Sequence, residues 1–224
     1  MTLNGNPTAA AAMEDIGDQH AATSVDTPLL PNAFDLSDDE KIARIEPLFA
    51  QIMDVLGLDR GDDSLSGTPY RVAKMYVKEI FQGLNPDNAP AAKVFDNSYQ
   101  YGEMLVEKNI RLNSTCEHHF LPIYGKAHVA YISSGKVVGL SKINRIVDYY
   151  ARRPQVQERL TRQISLHLQR VLETEDVAVV LDAKHLCVSA RGIQDETSST
   201  VTAEYAGAFK DPQTRTEFLK YLDL

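Results

Sequence analysis

Five residues in two short segments carry side chains of the kinds that bind metal ions. Cys116, His118 and His119 fall within four positions of one another, and His185 and Cys187 lie two positions apart. Residues two apart on a strand project to the same face, so the second pair is expected to point into one site. No other cysteine occurs in the chain, which excludes a disulfide framework of the small secreted kind.

Two kinds of zinc site fit these residue types. A Zn²⁺ ion held by Cys, His and Cys keeps its fourth position for water, whose pKa then falls from about 15.7 to about 7. Four ligands, two Cys and two His, would instead give a closed structural site. The 66 positions between His119 and His185 are unlike a compact finger, and there is one histidine too many for a three-ligand site. The pattern favours a catalytic site over a structural site or a single disulfide.

A basic stretch lies between the two segments. Ser141 and Lys142 stand where a helix is expected to begin, with Arg145 one turn later. Free backbone N–H groups, a hydroxyl and two cations at that place could bind an oligophosphate. A solvated helical face is the common alternative for such residues. The stretch from 141 to 170 has seven bases against two acids, the bases being Lys142, Arg145, Arg152, Arg153, Arg159, Arg162 and Arg170.

Gln157 and Glu158 follow closely. A carboxylate can accept hydrogen bonds from the two donors on the Watson–Crick edge of guanine, and an amide can address its carbonyl group. Alone, the pair would be taken for ordinary helix surface. No glycine-rich G-x-x-x-x-G-K-[ST] loop is present, which disfavours a nucleotide-hydrolysing P-loop protein.

The elements that must position these residues follow from capping signals and periodicity. Ser37 and Glu40 form a capping box before a helix that closes at Gly57, and Thr68-Pro69 predicts a second helix start. From about residue 93 the sequence predicts long strands around 104–112, 120–132 and 176–183. Helices are predicted from Ser141, from Pro154 and from Asp211-Pro212. This order predicts an α+β protein with an antiparallel sheet and helices on one side.

Composition and charge limit the kind of protein. The chain has 224 residues, is 43% hydrophobic and carries a formal charge of −8, all of which comes from residues 1–40. We therefore predict a disordered acidic tail over 1–35, an N-terminal helical segment over 36–92 and a catalytic domain over 93–224. The acidity argues against nucleic-acid partners, and no apolar run is long enough for a membrane span, so a soluble cytoplasmic protein is expected.

Several motifs together closely resemble the GTP cyclohydrolase I family. They are Thr68-Pro-Tyr-Arg-Val-Ala-Lys-Met75, Ser114-Thr-Cys-Glu-His-His-Phe120, Gly139-Leu-Ser-Lys-Ile-Asn-Arg-Ile146, Arg153-Pro-Gln-Val-Gln-Glu-Arg-Leu160 and Ala190-Arg-Gly-Ile193. The resemblance covers roughly residues 38–222. It implies a tunnelling fold, in which subunits join their antiparallel sheets into a barrel and two pentameric rings stack into a homodecamer with active sites between subunits.

The resemblance also implies a reaction. GTP would be hydrolysed at the imidazole-ring carbon of guanine, formate would leave, and the ribose would rearrange and close a ring to give dihydroneopterin triphosphate. That product opens tetrahydrofolate and pterin biosynthesis.

The resemblance also implies residue roles, matched by position within the motifs. Cys116, His119 and Cys187 would bind Zn²⁺, which leaves His118 and His185 for proton transfer. The remaining matched residues would contact GTP: Glu158 and Gln157 at the guanine edge, Ser141, Lys142, Arg145 and Arg191 at the triphosphate and ribose, and Arg71 and Lys74 as further positive charge.

Two other functions stay open on the sequence alone. One is a non-catalytic, zinc-stabilised assembly that binds a nucleotide, for which a fourth protein ligand on the metal would be the mark. The other is a related tunnelling-fold enzyme that acts on a different purine or pterin.

Overall fold

The computed structural model describes residues 24–91 and 93–222, so most of the predicted acidic tail lies outside the described residues. Seven α-helices occur in this part of the chain: α1 Asp38–Val55, α2 Asp63–Ser66, α3 Thr68–Met75, α4 Leu140–Ala151, α5 Gln157–Leu172, α6 Leu186–Ser189 and α7 Pro212–Leu222. A π-helical turn, Tyr76–Ile80, continues α3, and short 3-10 turns follow it. Among the described helices, none combines the length and the apolar character that crossing a membrane requires.

The described strands form two sheets. They are β1 Val94–Asp96, β2 Met104–Cys116, β3 Pro122–Ile132, β4 Lys136–Val138, β5 Pro154–Gln155, β6 Val177–His185 and β7 Thr200–Tyr205. The main sheet has the order β5-β2-β3-β6-β7, and all its pairings are antiparallel except that of β5 with β2. The other two strands, β1 and β4, pair as a small separate ribbon.

Local sequence signals account for the N-terminal helix. The Ser37 side chain accepts a hydrogen bond from the Glu40 backbone N–H at 3.3 Å, and the Glu40 carboxylate accepts one from the Ser37 N–H at 2.8 Å. This is the predicted capping box. The helix continues through Pro47 and ends before Gly57, whose φ of +78° is accessible to glycine at little cost.

Three predicted helix starts were wrong by one to three residues. Gly67 rather than Thr68 is the N-cap of α3, and Gly139 rather than Ser141 is the N-cap of α4. The helix predicted to begin at Pro154 begins at Gln157, because Pro154 and Gln155 pair with the end of β2 as the short strand β5. Pairing with a distant strand is not visible in a local capping pattern.

The hydrophobic core lies between the main sheet and the two helices α4 and α5. Leu112, Val129 and Leu181 contribute to this core from three neighbouring strands. Ile146 of α4 and Ile164 of α5 belong to the same buried cluster. The helix α7 packs on the opposite face in a second, smaller cluster. The predicted antiparallel sheet with its long helices on one side is therefore confirmed, and α7 covers part of the other side in addition.

An N-terminal arm, residues 24–36, runs along the domain before α1. The Ser24 carbonyl accepts a hydrogen bond from Arg159 at 3.1 Å, and the Val25 carbonyl accepts one from Gln163 at 2.7 Å. Leu29 of the arm lines an apolar cavity of about 430 Å³. Residues 24–35 of the arm belong to the segment that the sequence predicted as a disordered tail, and these contacts were not part of that prediction.

Candidate active site

The pairing of three strands brings the two metal-ligating segments to one end of the sheet. Strand β2 ends at Cys116, β3 begins at Pro122, and Ile123 of β3 lies opposite His185 at the end of β6. The tight turn between β2 and β3 is closed by a hydrogen bond from the Cys116 N–H to the Leu121 carbonyl at 2.8 Å. The turn that carries the first segment therefore lies beside the strand end that carries the second.

Cys116, His119 and Cys187 come together in this place. Their potential ligand atoms all lie within 4.8 Å of one another, and among the described residues they form a group of three that could hold a metal ion. Zinc–ligand bonds of about 2.0–2.3 Å in a tetrahedron would set two sulfur ligands about 3.8 Å apart. The donor set and its spacing therefore fit Zn²⁺, and thiolate ligands favour zinc over hard cations such as Mg²⁺.

The sequence predicted that His185 and Cys187 point to the same face of one strand, and this prediction was wrong. His185 is the last residue of β6, whereas Cys187 lies in the single helical turn α6. The two side chains therefore do not share a strand face. Only Cys187 belongs to the group of three, and the His185 ring contacts Gln157 instead.

The Cys116 thiol influences the ionisation of Cys187. Burial, together with the neighbouring Cys116 thiol, raises the pKa of Cys187 to about 11. A second negative charge so close to the first is unfavourable in a site of low polarity. A divalent cation between the sulfur atoms would remove this penalty, which is a further physical reason why the group suits a metal.

Arg191 lies at the exposed side of the group. One of its guanidinium nitrogens, Nη1, is 2.7 Å from Nε2 of His119. Arginine can only donate, so Nε2 of His119 accepts in this contact, and the same lone pair would bind a metal ion only once Arg191 has moved away. The predicted anion-binding arginine and a predicted metal ligand are thus direct neighbours.

His118 and Glu117, which are adjacent in sequence to the potential ligands, have contacts with other side chains. Nδ1 of His118 is 3.8 Å from Sγ of Cys116, and its Nε2 is 4.0 Å from the carboxylate of Glu117. Glu117 in turn forms an ion pair with Arg159, one of whose two contacts, from Nη2, measures 3.2 Å. The Arg159 side chain is 4% exposed, so the pair is held in the interior.

His185 lies at the edge of the group and is half-buried. Its Nε2 is 2.7 Å from Oε1 of Gln157. Burial lowers the pKa of His185, and the negative charge of Glu158 partly offsets this effect. The ring is therefore predominantly neutral near pH 7 and can accept a proton.

Gln157 and Glu158 occupy different environments although they are adjacent in sequence. Gln157 is 2% exposed, and its amide is directed into the protein. Glu158 is exposed in the first turn of α5, close enough to His185 to act on it electrostatically. Only Glu158 therefore presents its side chain to the solvent side, from which a substrate would enter.

The predicted oligophosphate residues lie at the other end of the domain. Ser141 and Lys142 are in the first turn of α4, and Asn144 of the same helix donates a hydrogen bond to Glu107 at 3.2 Å. Glu107 precedes Cys116 by nine residues on β2. At about 3.3 Å per residue this separation is roughly 25–30 Å, given the bulge in the strand. One chain therefore does not bring the two sets of residues together.

Most of the arginines in the basic stretch have partners within the chain. Arg159 pairs with Glu117, Arg162 with Glu204, and Arg152 with Asp148. The Arg153 guanidinium lies over the rings of both Tyr149 and Tyr150, 4.5 Å from each centroid. The basic residues of this stretch therefore do not form one continuous anion-binding surface. Lys142 and Arg145 remain at or near the surface of α4.

Arg71 and Lys74 belong to α3, in the N-terminal helical segment. Nη2 of Arg71 donates to the Ser64 carbonyl at 3.1 Å and to the Thr68 hydroxyl at 2.8 Å, which ties the loop before α3 to the helix. Lys74 lies three residues later on the same helix. No described contact joins either residue to the group of three.

Arg159 is the residue of this site whose role the sequence did not reveal. It was counted with the solvated bases of the stretch, yet it connects Glu117 with the N-terminal arm. Its partner is 42 positions away, and no local pattern reveals such a pairing. Gln163, which also binds the arm, lies one helical turn after Arg159, and this spacing is the one available signal.

Comparison with known proteins gives one consistent result. A family model described as GTP cyclohydrolase I matches residues 45–223. A protein of Flavobacterium johnsoniae named GTP cyclohydrolase 1 is 63% identical over 212 residues, covering 95% of each chain. Proteins of the same name from Aeromonas hydrophila and Vibrio vulnificus are 55% and 53% identical, over 88% and 87% of this chain and 90% and 89% of theirs.

Proposed function

Since the chain belongs to the GTP cyclohydrolase I family and has its tunnelling fold, we propose that it converts GTP into dihydroneopterin triphosphate and formate with the help of Zn²⁺. The observation that carries the proposal is the convergence of Cys116, His119 and Cys187 beside two further histidines. The product would enter tetrahydrofolate or pterin biosynthesis, which stays a prediction.

Zinc held by these three residues would supply a Lewis acid that makes water a competent nucleophile near neutral pH. The protein's own residues have the other tasks. His118 and His185 lie beside the group and would move protons to and from the substrate. Exposed Glu158 would accept hydrogen bonds from the guanine edge and fix the position of the ring carbon that leaves as formate.

Triphosphate binding requires a second copy of the chain in this proposal. Ser141, Lys142 and Arg145 are on the helix that contacts Glu107, which lies roughly 25–30 Å along β2 from Cys116, whereas a single GTP must reach both sets of residues. Only a neighbouring copy could bring its α4 close to the group. Arg191 is already beside the group and would meet the ribose or phosphates of the same ligand. Arg71 and Lys74 would contribute further positive charge from a neighbouring copy.

The proposed assembly follows from this need. A homodecamer of two stacked pentamers is what the family resemblance implies, and a shared site is consistent with it. The non-catalytic scaffold is less well supported, because the group of ligands among the described residues has three members and His118 is not one of them.

The test is formate release from GTP by the purified protein, with and without a strong chelator. We expect formate in amounts equal to the pterin product, loss of both on chelation, and recovery when Zn²⁺ is added back. Absence of formate from a folded, zinc-loaded oligomer would contradict the proposal and favour the scaffold.

A further inference from the structure

We propose that Gln157 is a positioning residue for His185: its side-chain amide holds the imidazole with a hydrogen on Nε2, so that Nδ1 is the nitrogen that exchanges protons. The inference rests on the proposed function only in giving His185 a proton-transfer role. It replaces the expectation that the Gln157 side chain contacts guanine.

The orientation of the Gln157 amide follows from its neighbours. Its Nε2 lies 3.2 Å from the Leu181 carbonyl, 2.8 Å from the Thr200 carbonyl and 3.1 Å from the Thr202 hydroxyl. Backbone carbonyl oxygens can only accept hydrogen bonds, so this end of the amide must be the NH₂ group. The reverse orientation would set the amide oxygen against two carbonyl oxygens in the interior.

The hydroxyl groups of Thr161 and Thr202 also belong to this hydrogen-bond network around the Gln157 amide. The Thr161 hydroxyl donates its hydrogen to the Gln157 backbone carbonyl at 2.7 Å. It is also 2.7 Å from the Thr202 hydroxyl, and because its own hydrogen is committed, it must accept from Thr202. The Thr202 oxygen can then accept from the Gln157 amide, as the distances require. The Gln157 NH₂ group thus has three acceptors for its two hydrogens, so one hydrogen is shared between two of them.

The amide oxygen of Gln157 is then the part of the side chain that faces His185. It lies 2.7 Å from Nε2 of His185, and an amide oxygen can only accept, so this ring nitrogen carries a hydrogen. Nδ1 is therefore the ring nitrogen that can gain or lose a hydrogen while this hydrogen bond is kept. The hydrogen bond from the other ring nitrogen commonly decides which nitrogen of a functional histidine is reactive.

Burial makes this arrangement rigid and leaves Gln157 without capacity for a ligand. Gln157 and Thr161 are each 2% exposed. Rotation of the amide would leave several buried polar groups unpaired, and each of them would then lack the hydrogen bond that offsets its loss of water. With its NH₂ group and its oxygen both engaged, the side chain has no free donor for a guanine carbonyl.

The first measurement is the ¹⁵N spectrum of the histidine rings in the zinc-loaded enzyme without substrate. The His185 signals are identified by their absence in the variant His185→Asn. We expect a protonated Nε2 and an unprotonated Nδ1 in the natural protein, and a mixture of tautomers in Gln157→Met. The opposite tautomer in the natural protein, or no change in the variant, would overturn the proposal.

The second measurement is steady-state turnover of GTP. Gln157→Met should lower kcat by about 10- to 100-fold, the range for losing a partner that orients a reactive group, and change KM by less than about twofold. A rise in KM with unchanged kcat would overturn the proposal and assign Gln157 to substrate binding. Gln163→Met is the matched control, since it replaces a buried glutamine of the same helix whose described contacts are with Gln155 and the N-terminal arm.

A milder variant guards against loss of folding. Thr202→Val removes one acceptor of the Gln157 amide, and Thr202→Ser keeps it. We expect a small fall in kcat for the first, because the two carbonyl acceptors still orient the amide, and recovery with the second. A fall in Thr202→Val as large as that in Gln157→Met would overturn the assignment of the amide's orientation to these carbonyls. If the natural protein releases no formate, the proposed function fails, but the ring spectra still decide whether Gln157 orients His185.

Discussion

The metal-ligating group and the first turn of α4 differ in how much of their surroundings the same chain supplies. Behind Cys116 and His185 lie a buried ion pair and a buried amide network. Ser141 and Lys142 lie in the first turn of α4 with no comparable support among the described contacts. Under the proposed function this difference would be a division of labour: one chain would supply the reacting part of the site already arranged, and a second copy would supply the anion-binding part.

The strongest test of this comparison removes a metal ligand. Cys187→Ser should lose zinc and formate release together, by more than the roughly 100-fold that losing a supporting partner costs. Serine has nearly the same shape, so packing is little disturbed. Metal content by atomic absorption and formate by coupled assay provide the measurement. A variant that retains both zinc and full turnover would contradict the metal assignment.

Glu158→Gln tests the exposed residue on which base recognition is proposed to depend. The charged acceptor for the guanine donors would be lost, and interactions of this kind are commonly worth about 2–4 kcal/mol, or about 30- to 1,000-fold in kcat/KM. Zinc content should not change. Equal kcat/KM in variant and natural protein would show that Glu158 is ordinary surface.

Mixing two inactive variants tests whether the site is shared between copies. Lys142→Ala disables the proposed anion-binding half, and Cys187→Ser disables the metal half. If each site takes one half from each of two copies, unfolding and refolding an equal mixture should restore about a quarter of the sites. Each variant refolded alone is the control. No recovery from mixed oligomers would indicate that both halves come from one chain.

The sequence predicts the fold well and the site in part. The features that it predicts depend on residues close together in the chain, and those that it misses depend on residues far apart. The capping box at Ser37 and the metal-ligand types at Cys116 and Cys187 are local signals, and the structure has both. The burial of Gln157 depends on where α5 begins, which is decided by the pairing of β5 with β2. The burial of Arg159 depends on Glu117, far away in the sequence. Contacts of this kind appear only once the strands are paired.

Arg159→Met tests the interior support of the metal half. It leaves the largely buried Glu117 carboxylate without its partner and frees the Ser24 carbonyl of the arm. Removing one partner of a buried ion pair costs about 3–5 kcal/mol, and the lower end is expected because Glu117 is 20% exposed. Urea unfolding of the zinc-loaded protein measures the loss. The double variant Glu117→Gln, Arg159→Met should recover part of it, and a single variant as stable as the natural protein would show that the pair contributes nothing.

The smallest expected effect concerns a buried histidine outside both regions, which should affect stability alone. His128 is 4% exposed, and its Nδ1 accepts a hydrogen bond from the Asn109 N–H at 3.4 Å. Burial lowers the pKa of His128, and the positive charge of Lys126 lowers it further, while Asp182 acts in the opposite direction. The folded state therefore favours the neutral ring. The resulting stability is present above the unfolded pKa of about 6.5 and is lost as the pH falls through the lower pKa of the folded state.

His128→Gln should therefore flatten the decline in unfolding free energy between about pH 7 and pH 5, by about 1.4 kcal/mol for every tenfold change that folding makes in the acidity of the ring. Part of the decline should remain, because burial also lowers the pKa of His167. Urea unfolding in the Cys187→Ser background is the measurement, since it excludes the pH dependence of metal binding. In the natural background, turnover at about pH 7.5, above the titration range of an ordinary histidine, should not change. An unaltered pH dependence of stability would show that the His128 ring is protonated as readily in the folded chain as in the unfolded one. A fall in turnover would mean that polar groups far from the metal-ligating group also support the chemistry.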